Sequence, residues 1–412
     1  MVNSAKRDTA NALAFEKLTN GEPVLIDVAP AVDVMPGMTE NTVLTSGPPL
    51  PWADYTGGQR EALIGGALYE GLANSRDAAI KGFENGGIRV GGCHDFGGVG
   101  SLAGIYTASM PVFVVENRTY GNVGYCNMYE GKAPKRLNYG VYDSSVHERL
   151  KYIDTVIAPV IASAVRQSGG IPLNPIMKRA LNMGDELHSR NTAASLIFAR
   201  ELFPHLLDLD DVPSDSIRKL VDILTEDHYF FLRLSMAAAK SVADAAHGVE
   251  GSSLVTAMCF SCKEFGIKVS GLGDDWIRGP HATINAKLFD GHTEDEITWM
   301  GGESPITETI GLGGFAQAAS FPLQDYQGGD PQAMVERNLE LYKIVHGENP
   351  TFKIPFLKFR GTPTGIDVFK VAETGILPMM DIGIAGAGGG QIGAGTVRAP
   401  LACFAEAVSR FK

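Results

Sequence analysis

Residues 182–195 read Asn182-Met-Gly-Asp-Glu-Leu-His-Ser-Arg-Asn-Thr-Ala-Ala-Ser195, and the fold turns on how this stretch is taken. Its apolar spacing matches a buried helix, yet strongly polar side chains crowd its middle. Helical periodicity aligns Gly184, His188, Asn191 and Ser195. It sets Glu186 and Arg190 one turn apart beside that line and leaves Met183, Leu187, Ala194 and Phe198 as a stripe for a core. A solvated i,i+4 ion pair would account for Glu186 and Arg190 alone, at about 0.3–0.5 kcal/mol. The flanks favour a site: Ala193 to Ala199 is almost wholly apolar and Ile176 to Leu181 largely so. Charges covered on most sides need partners or a ligand. Asp185, Glu186 and His188 are therefore the candidates for acid, base or metal-ligand chemistry, with Asn191 beside them.

Helical spacing extends outward from this stretch across Ser145 to His247. Four helices are predicted, Val146–Val165, Pro175–Phe203, Ser214–Leu224 and Asp227–Ala246, joined by Gly169-Gly170 and the acidic Asp208-Leu-Asp-Asp-Val-Pro213. The last is Ala- and Met-rich like an interior helix, with Lys240 as an edge charge whose stem is buried. Strand and turn composition lies on both sides of this tract. The pattern predicts an α+β protein of several domains: an N-terminal α+β domain at 1–144, a central helical domain at 145–250 and a C-terminal α+β domain with a glycine-rich loop at 251–412.

On the N-terminal side, 23–30 reads as a buried strand, 44–52 as a proline-stiffened loop and 57–74 as a helix. A strand over 88–93 runs into the glycine-rich turn 91–100, which carries His94 and Asp95. Such a turn either cradles a phosphate or carboxylate on its amides or uses its glycines for positive φ. It matches neither GxGxxG nor the Walker pattern, so no dinucleotide fold or P-loop is expected. Met110–Glu116 and Val123–Met128 read as antiparallel partners, with Asn127 and Glu130 directed to the cleft of His94 or serving the turn. On the C-terminal side, Leu254–Met258 and Gly266–Gly273 read as paired strands, Asp330–Val345 as a helix and Phe352–Phe359 as a strand. Thr307 and Glu308 enter an apolar glycine-rich run, where an unpaired carboxylate is costly, so Glu308 is the second candidate. The densest glycine loop spans 381–400. Gln391, Thr396 and Arg398 are its hydrogen-bonding side chains, and Arg398 offers a planar fork to an anion.

Of 412 residues, 44% are hydrophobic and 20% charged, as in an ordinary folded protein, and a net charge of −12 supplies no basic face for nucleic acid. A small-molecule substrate is the default ligand, and a homo-oligomer is expected. Met1–Thr19 is a weakly amphipathic helix without a signal-type apolar run, and nothing reaches the length of a membrane span, so a cytoplasmic protein is expected. Five cysteines at irregular spacing suit reduced thiols; Cys259 and Cys262 lack the second half of a zinc site. The residues leave the cofactor unknown and a divalent metal open.

Taken in order, Gly47-Pro-Pro, Cys93-His94, Thr107-Ala-Ser-Met-Pro111, Asn117, Tyr125-Cys, Met183-Gly-Asp-Glu with His188 and Arg190-Asn, Val269-Ser-Gly-Leu-Gly, Ile306-Thr-Glu-Thr and the run from Gln391 to Phe404 span nearly the whole chain. In these motifs the sequence resembles the YlbE-like family of bacterial proteins. The resemblance implies an α+β fold with a helical middle. It also implies a subunit of an oxamate carbamoyltransferase, acting with two other proteins to convert oxalurate and phosphate into oxamate and carbamoyl phosphate. The chain departs from that relative at Asp95, where the relative has a second histidine, at Tyr129, where it has asparagine, and across 279–289. The expected function is thus carbamoyl transfer on a small carboxylate-bearing carbamoyl, ureido or amide compound. An amidohydrolase, or a non-catalytic subunit completing a larger complex, are the alternatives. His188 and Glu186 are expected to transfer protons, with Asp185 and Asn191 orienting them and Glu308 also catalytic. Arg398 and the amides of 388–395 are expected to bind the anionic end, and His94 with Asp95 to polarise a carbonyl or hold a metal. Asn127, Glu130, Arg190, Thr307, Gln391 and Thr396 complete the expected substrate-binding set.

Overall fold

Pro23–Pro30 forms the strand its composition predicts and takes an interior place in a five-stranded sheet. Pro111–Asn117 lies antiparallel beside it and pairs on its other side with Val123–Asn127, the hairpin expected from the Gly121-Asn122 turn. The short strands Gly98–Val99 and Ile171–Pro172 complete the two edges. The computed structural model describes residues 4–210, 212–226 and 229–411. Further small sheets, among them the expected pair Val255–Phe260 and Phe265–Val269, combine with the helices into an α+β fold.

The helix Leu232–Ala246 packs across the hairpin, and every residue from Leu232 to Ala243 is buried. Gly124 permits this approach, because a Cβ there would stand 2.5 Å from the carbonyl oxygen of Ala237. The largest core joins Ala14 and Leu18, the central sheet and the helices around it to Ile306, Leu312 and Phe352. In it the ring of Phe113 meets Phe230 edge to face at 5.9 Å. A second core lies among Val255, Phe265, Met380 and Phe404, and a third under the helix Gly57–Tyr69.

Several expectations are corrected. The helix expected over Pro175–Phe203 is two, Leu173–Asn182 and Thr192–Leu207, separated by a turn at 183–191. Gly184 at φ +93° and Leu187 at φ +73° leave the right-handed helical region there and reverse the chain. The glycine loop 381–400 is a hairpin of Met379–Ala385 and Gln391–Arg398. Its glycines serve close strand contact: a Cβ on Gly395 would lie 2.2 Å from the Asn285 carbonyl oxygen of the neighbouring strand. The strand expected over Phe352–Phe359 ends at Ile354, where Pro355 opens a short 3-10 turn. Lys240 is no edge charge but 3% exposed. The ends of the expected helix Met1–Thr19 at Met1–Asn3 and of the helix Asp227–Ala246 at Asp227 and His228, together with Asp211 of the acidic connection, lie outside the described residues.

Candidate active site

The turn at 183–191 is built around its own carboxylates. Glu186 accepts the backbone N–H groups of His188 at 3.2 Å, of Ser189, and of Arg190 at 2.9 Å. Asp185 accepts the N–H of Ala194 at 2.8 Å in the first turn of Thr192–Leu207 and a 2.6 Å bond from the Arg190 guanidinium. Asn191 donates from its side chain to the His188 carbonyl at 2.9 Å. These residues hold the turn in one shape, and the shape presents His188.

Behind His188 stands Glu308, in the short helix Ile306–Thr309, with Oε1 2.8 Å from the imidazole Nδ1. The same carboxylate accepts the N–H groups of Gly314 at 3.0 Å and Asp381 at 3.1 Å and the Thr307 hydroxyl at 2.8 Å. Gly313 is required here: at φ +58°, its Cβ would fall 2.3 Å from that oxygen. Asp381 is buried too, with Oδ1 held by Gln317 at 2.7 Å and Gln327 at 2.8 Å. With Nδ1 committed to Glu308, Nε2 is the His188 nitrogen left for the adjoining pocket.

That pocket spans about 600 Å³, part of it open to solvent, between the 101–102, 129–139 and 188–189 segments, the start of Leu232–Ala246 and the 379–398 hairpin. Arg233 enters it at 4% exposure, with Nε and Nη1 buried and, among the described residues, without a hydrogen-bond partner. The Tyr129 ring lies 5.7 Å from its guanidinium. Arg136 lies 4.1 Å over the Tyr139 ring and donates to the Tyr129 hydroxyl at 3.2 Å. Gln391 accepts from the Tyr139 hydroxyl at 3.2 Å, and Ser101, Ser189 and Ser304 add hydroxyls to the lining. Glu130 spends its carboxylate on its own loop, accepting the N–H groups of Leu137 at 2.7 Å and Asn138 at 2.8 Å.

Of the residues singled out in the sequence, His188, Glu130 and Gln391 meet at the pocket, with Glu308 and Thr307 directly behind His188. Asp185, Glu186, Arg190 and Asn191 shape the turn, with both Glu186 oxygens engaged by backbone amides. Asn127 lies behind Asn138, at 3.4 Å. His94 and Asp95 belong elsewhere, His94 lining a separate polar pocket, so the cleft they were to share with Glu130 is not formed. Arg398 bonds Glu340 and the Leu377 carbonyl, both at 3.0 Å, and does not line the pocket; Thr396 sits between Asp381 and Asn285 in the sheet. The amide cradle expected at 388–395 is largely consumed by strand pairing. Among the described residues no group of three or more His, Cys, Asp or Glu side chains is arranged to hold a metal ion. Arg233, Arg136 and Asp381 were missed. The available signal for Arg233 was a charge between Phe230-Phe231-Leu232 and Leu234, where a buried helix starts.

The electrostatics follow from burial. Desolvation opposes a charge on His188, but Glu308 in contact and Asp381 nearby outweigh it and raise the imidazole above its usual value. Burial lifts Asp381 to about 6, Asp185 to about 7 and Glu303 to about 8, and pushes Glu186 well up with help from the Asp381 charge. Unfolded, such groups titrate at 3.8 for aspartate and 4.5 for glutamate. These groups therefore bind more protons in the folded than in the unfolded chain in this window. The associated stability is present below about pH 4 and is lost as pH rises through the folded values. His188, raised above 6.5, contributes with the same sign. Through these groups the urea midpoint is expected to fall between about pH 5 and pH 8, while His94, His247 and His346, whose imidazoles burial holds below 6.5, act with the opposite sign; an Asp381→Asn protein whose midpoint changes with pH over this range as wild type does would contradict the cluster's charge state.

A profile of the family described as oxamate carbamoyltransferase subunit AllG matches residues 88–304. Over 404 residues the chain is 39% identical to the oxamate carbamoyltransferase subunit AllG of Escherichia coli (strain K12), covering 97% of this chain and 96% of that protein. It is 38% identical over 401 residues to the uncharacterised protein YahG of the same organism, covering 97% and 84%. The crystal structure of a conserved protein of unknown function from Enterococcus faecalis V583 matches with a TM-score of 0.95 at 37% identity, covering 98% of this chain and 97% of that one. The chain belongs to the oxamate carbamoyltransferase subunit AllG family. Among the described residues no helix is long and apolar enough to cross a membrane.

Proposed function

We propose that this chain carries the carbamoyl-transfer site of a multisubunit enzyme, binding a small carboxylate-bearing ureido compound on Arg233 and moving one proton through His188. The observation that carries the reading is a buried guanidinium with unpartnered nitrogens in the same pocket as an imidazole held by a buried carboxylate. An arginine so placed calls for an anion, and its planar fork suits carboxylate or phosphate. In the proposed step an oxygen of hydrogen phosphate attacks the carbamoyl carbon, and the bond from that carbon to the ureido nitrogen breaks. The nitrogen gains one proton and leaves as an amide, while the phosphate loses one, so the step balances. His188, resting protonated beside Glu308, gives its proton to the departing nitrogen and regains one from the phosphate. Glu308 holds the ring and stabilises its positive charge, as a buried carboxylate does for a catalytic histidine. The name of the AllG relative as a subunit supports action together with other chains.

The test supplies oxalurate and phosphate to the purified chain, alone and co-purified with its complex, and follows oxamate and carbamoyl phosphate by mass spectrometry. Phosphate-dependent carbamoyl phosphate is expected from the complex, and oxalurate should raise the melting temperature of this chain. Carbamoyl release at equal rate without phosphate would move the reading to hydrolysis. Absence of both turnover and stabilisation would overturn it.

A further inference from the structure

We infer that the chain carries a second small-oxyanion site, lined by His94, Lys240, His247 and Lys268 and separate from the pocket of His188 and Arg233. The two pockets share no lining residue. They lie along one helix, since Arg233 and Lys240 are seven residues, or about 10 Å of helix rise, apart. The second pocket spans about 490 Å³, part of it open to solvent, and is walled by side chains from separate elements: the 3-10 turn Cys93–Phe96, the helix Leu232–Ala246 and its C-cap, and the strand Phe265–Val269.

Donors outnumber acceptors in its buried part. Two ammonium groups carry six N–H bonds between them. Among the described residues, Lys240 spends its donors on Asp244 at 2.7 Å and the His94 carbonyl at 3.3 Å, and Lys268 spends one on Asp95 at 3.1 Å. The ammonium of Lys268 also lies 4.8 Å over the Trp276 ring. Among the described residues, His94 is buried with Nε2 lacking a partner, and Trp276, edge to face with it at 5.2 Å, buries an unpartnered Nε1–H. Burial, then Lys240, Lys268 and His247, hold the His94 imidazole low and neutral, so one ring nitrogen remains a donor. His247 is fixed at both nitrogens, by Thr256 at 2.8 Å and Asp274 at 3.2 Å. Each carboxylate lies nearer the solvent than the lysines: the side chains of Asp274, Asp95 and Asp244 are 94%, 39% and 34% exposed, against 4% for Lys240 and 11% for Lys268. A buried set of donors facing carboxylates nearer the solvent fits an entering oxyanion that takes over Lys240, Lys268 and His247 Nε2 from Asp244, Asp95 and Asp274. A cation would meet the two ammonium groups instead.

Inorganic phosphate is the probe, titrated calorimetrically into wild type, Lys268→Gln, His247→Gln and Arg233→Met protein, with oxamate as the carboxylate arm. Wild type is expected to show a phosphate-binding component that persists in Arg233→Met and weakens about tenfold or more in Lys268→Gln. A matching loss in His247→Gln, whose ring is already part-exposed, guards against a folding defect in the lysine variant. Oxamate binding as tightly as phosphate would make the ligand a carboxylate and leave the oxyanion site standing. Phosphate binding that vanishes with Arg233→Met and ignores Lys268→Gln and His247→Gln would overturn it, as would no phosphate binding in Arg233→Met protein of wild-type fold. Failure of the proposed transfer reaction would remove only the Arg233-dependent component, so the two readings fail separately.

Discussion

Replacing His188 by glutamine is expected to lower kcat of the proposed transfer about 10²–10⁴-fold while the protein remains folded, measured in the reconstituted complex beside the urea midpoint. Glutamine spans much of the imidazole's space and can donate to Glu308, so the 2.8 Å contact that ties the 183–191 turn to Ile306–Thr309 has a neutral substitute. What is lost is a group that both gives and takes a proton near neutral pH. The pH profile separates this role from simple packing. Because Glu308 and Asp381 raise His188 against desolvation, the acid form persists above 6.5, and the rate should decline on the alkaline side as the imidazole deprotonates. In Glu308→Gln the carboxylate is gone and desolvation remains, so that alkaline limb should move to lower pH. Glutamine at 188 with undiminished kcat, or a limb unmoved in Glu308→Gln, would remove His188 from the chemistry.

Why these residues were partly legible in the sequence is a matter of which forces act locally. The strand Pro23–Pro30 and the hairpin of Pro111–Asn117 with Val123–Asn127 were readable because runs of Val, Ile and Phe between turn residues have few other folds. His188 and Glu308 stood out for a similar reason: charge in an apolar neighbourhood is expensive anywhere. Their partnership was not readable, since it joins residues 120 positions apart. The turn at 183–191 was misread because Gly184, His188 and Asn191 keep helical spacing even in a chain that reverses. Glu186 sustains that reversal by accepting amides a helix would use internally, and Leu187 adopts a left-handed conformation no spacing rule anticipates. The glycines of 391–398 announced a close backbone approach, but to the strand at 283–288 and not to a ligand. Arg398 looked like an anion fork and proved to be spent on Glu340, whereas Arg233 looked like one polar residue in a core helix. Burial without a partner, the property that distinguishes them, is a tertiary fact.

Arg233→Met is expected to produce opposite changes in function and in stability. Truncating a buried charge that bonds an anion costs about 2 kcal/mol or more, so kcat/KM should fall at least roughly thirtyfold, and the melting-temperature rise produced by oxalurate should disappear. The unliganded protein should be unharmed or more stable by about 1–4 kcal/mol in urea denaturation, because methionine fills similar volume without a desolvated charge. The cost of keeping Arg233 is visible in its surroundings: Nε and Nη1 are buried without partners, and its neighbours are the Tyr129 ring and the Cys126 thiol, neither of which neutralises a guanidinium. Arg136, which lies over one tyrosine ring and bonds the hydroxyl of another, is the internal control; methionine there removes packing and a hydrogen bond together and should destabilise. If Arg233→Met instead weakens the empty protein as much as Arg136→Met does, then Arg233 is held for the fold and the anion must bind elsewhere. If it strengthens the empty protein and abolishes stabilisation by oxalurate, the strain that this chain carries at the start of Leu232–Ala246 is explained by the ligand it is built to hold.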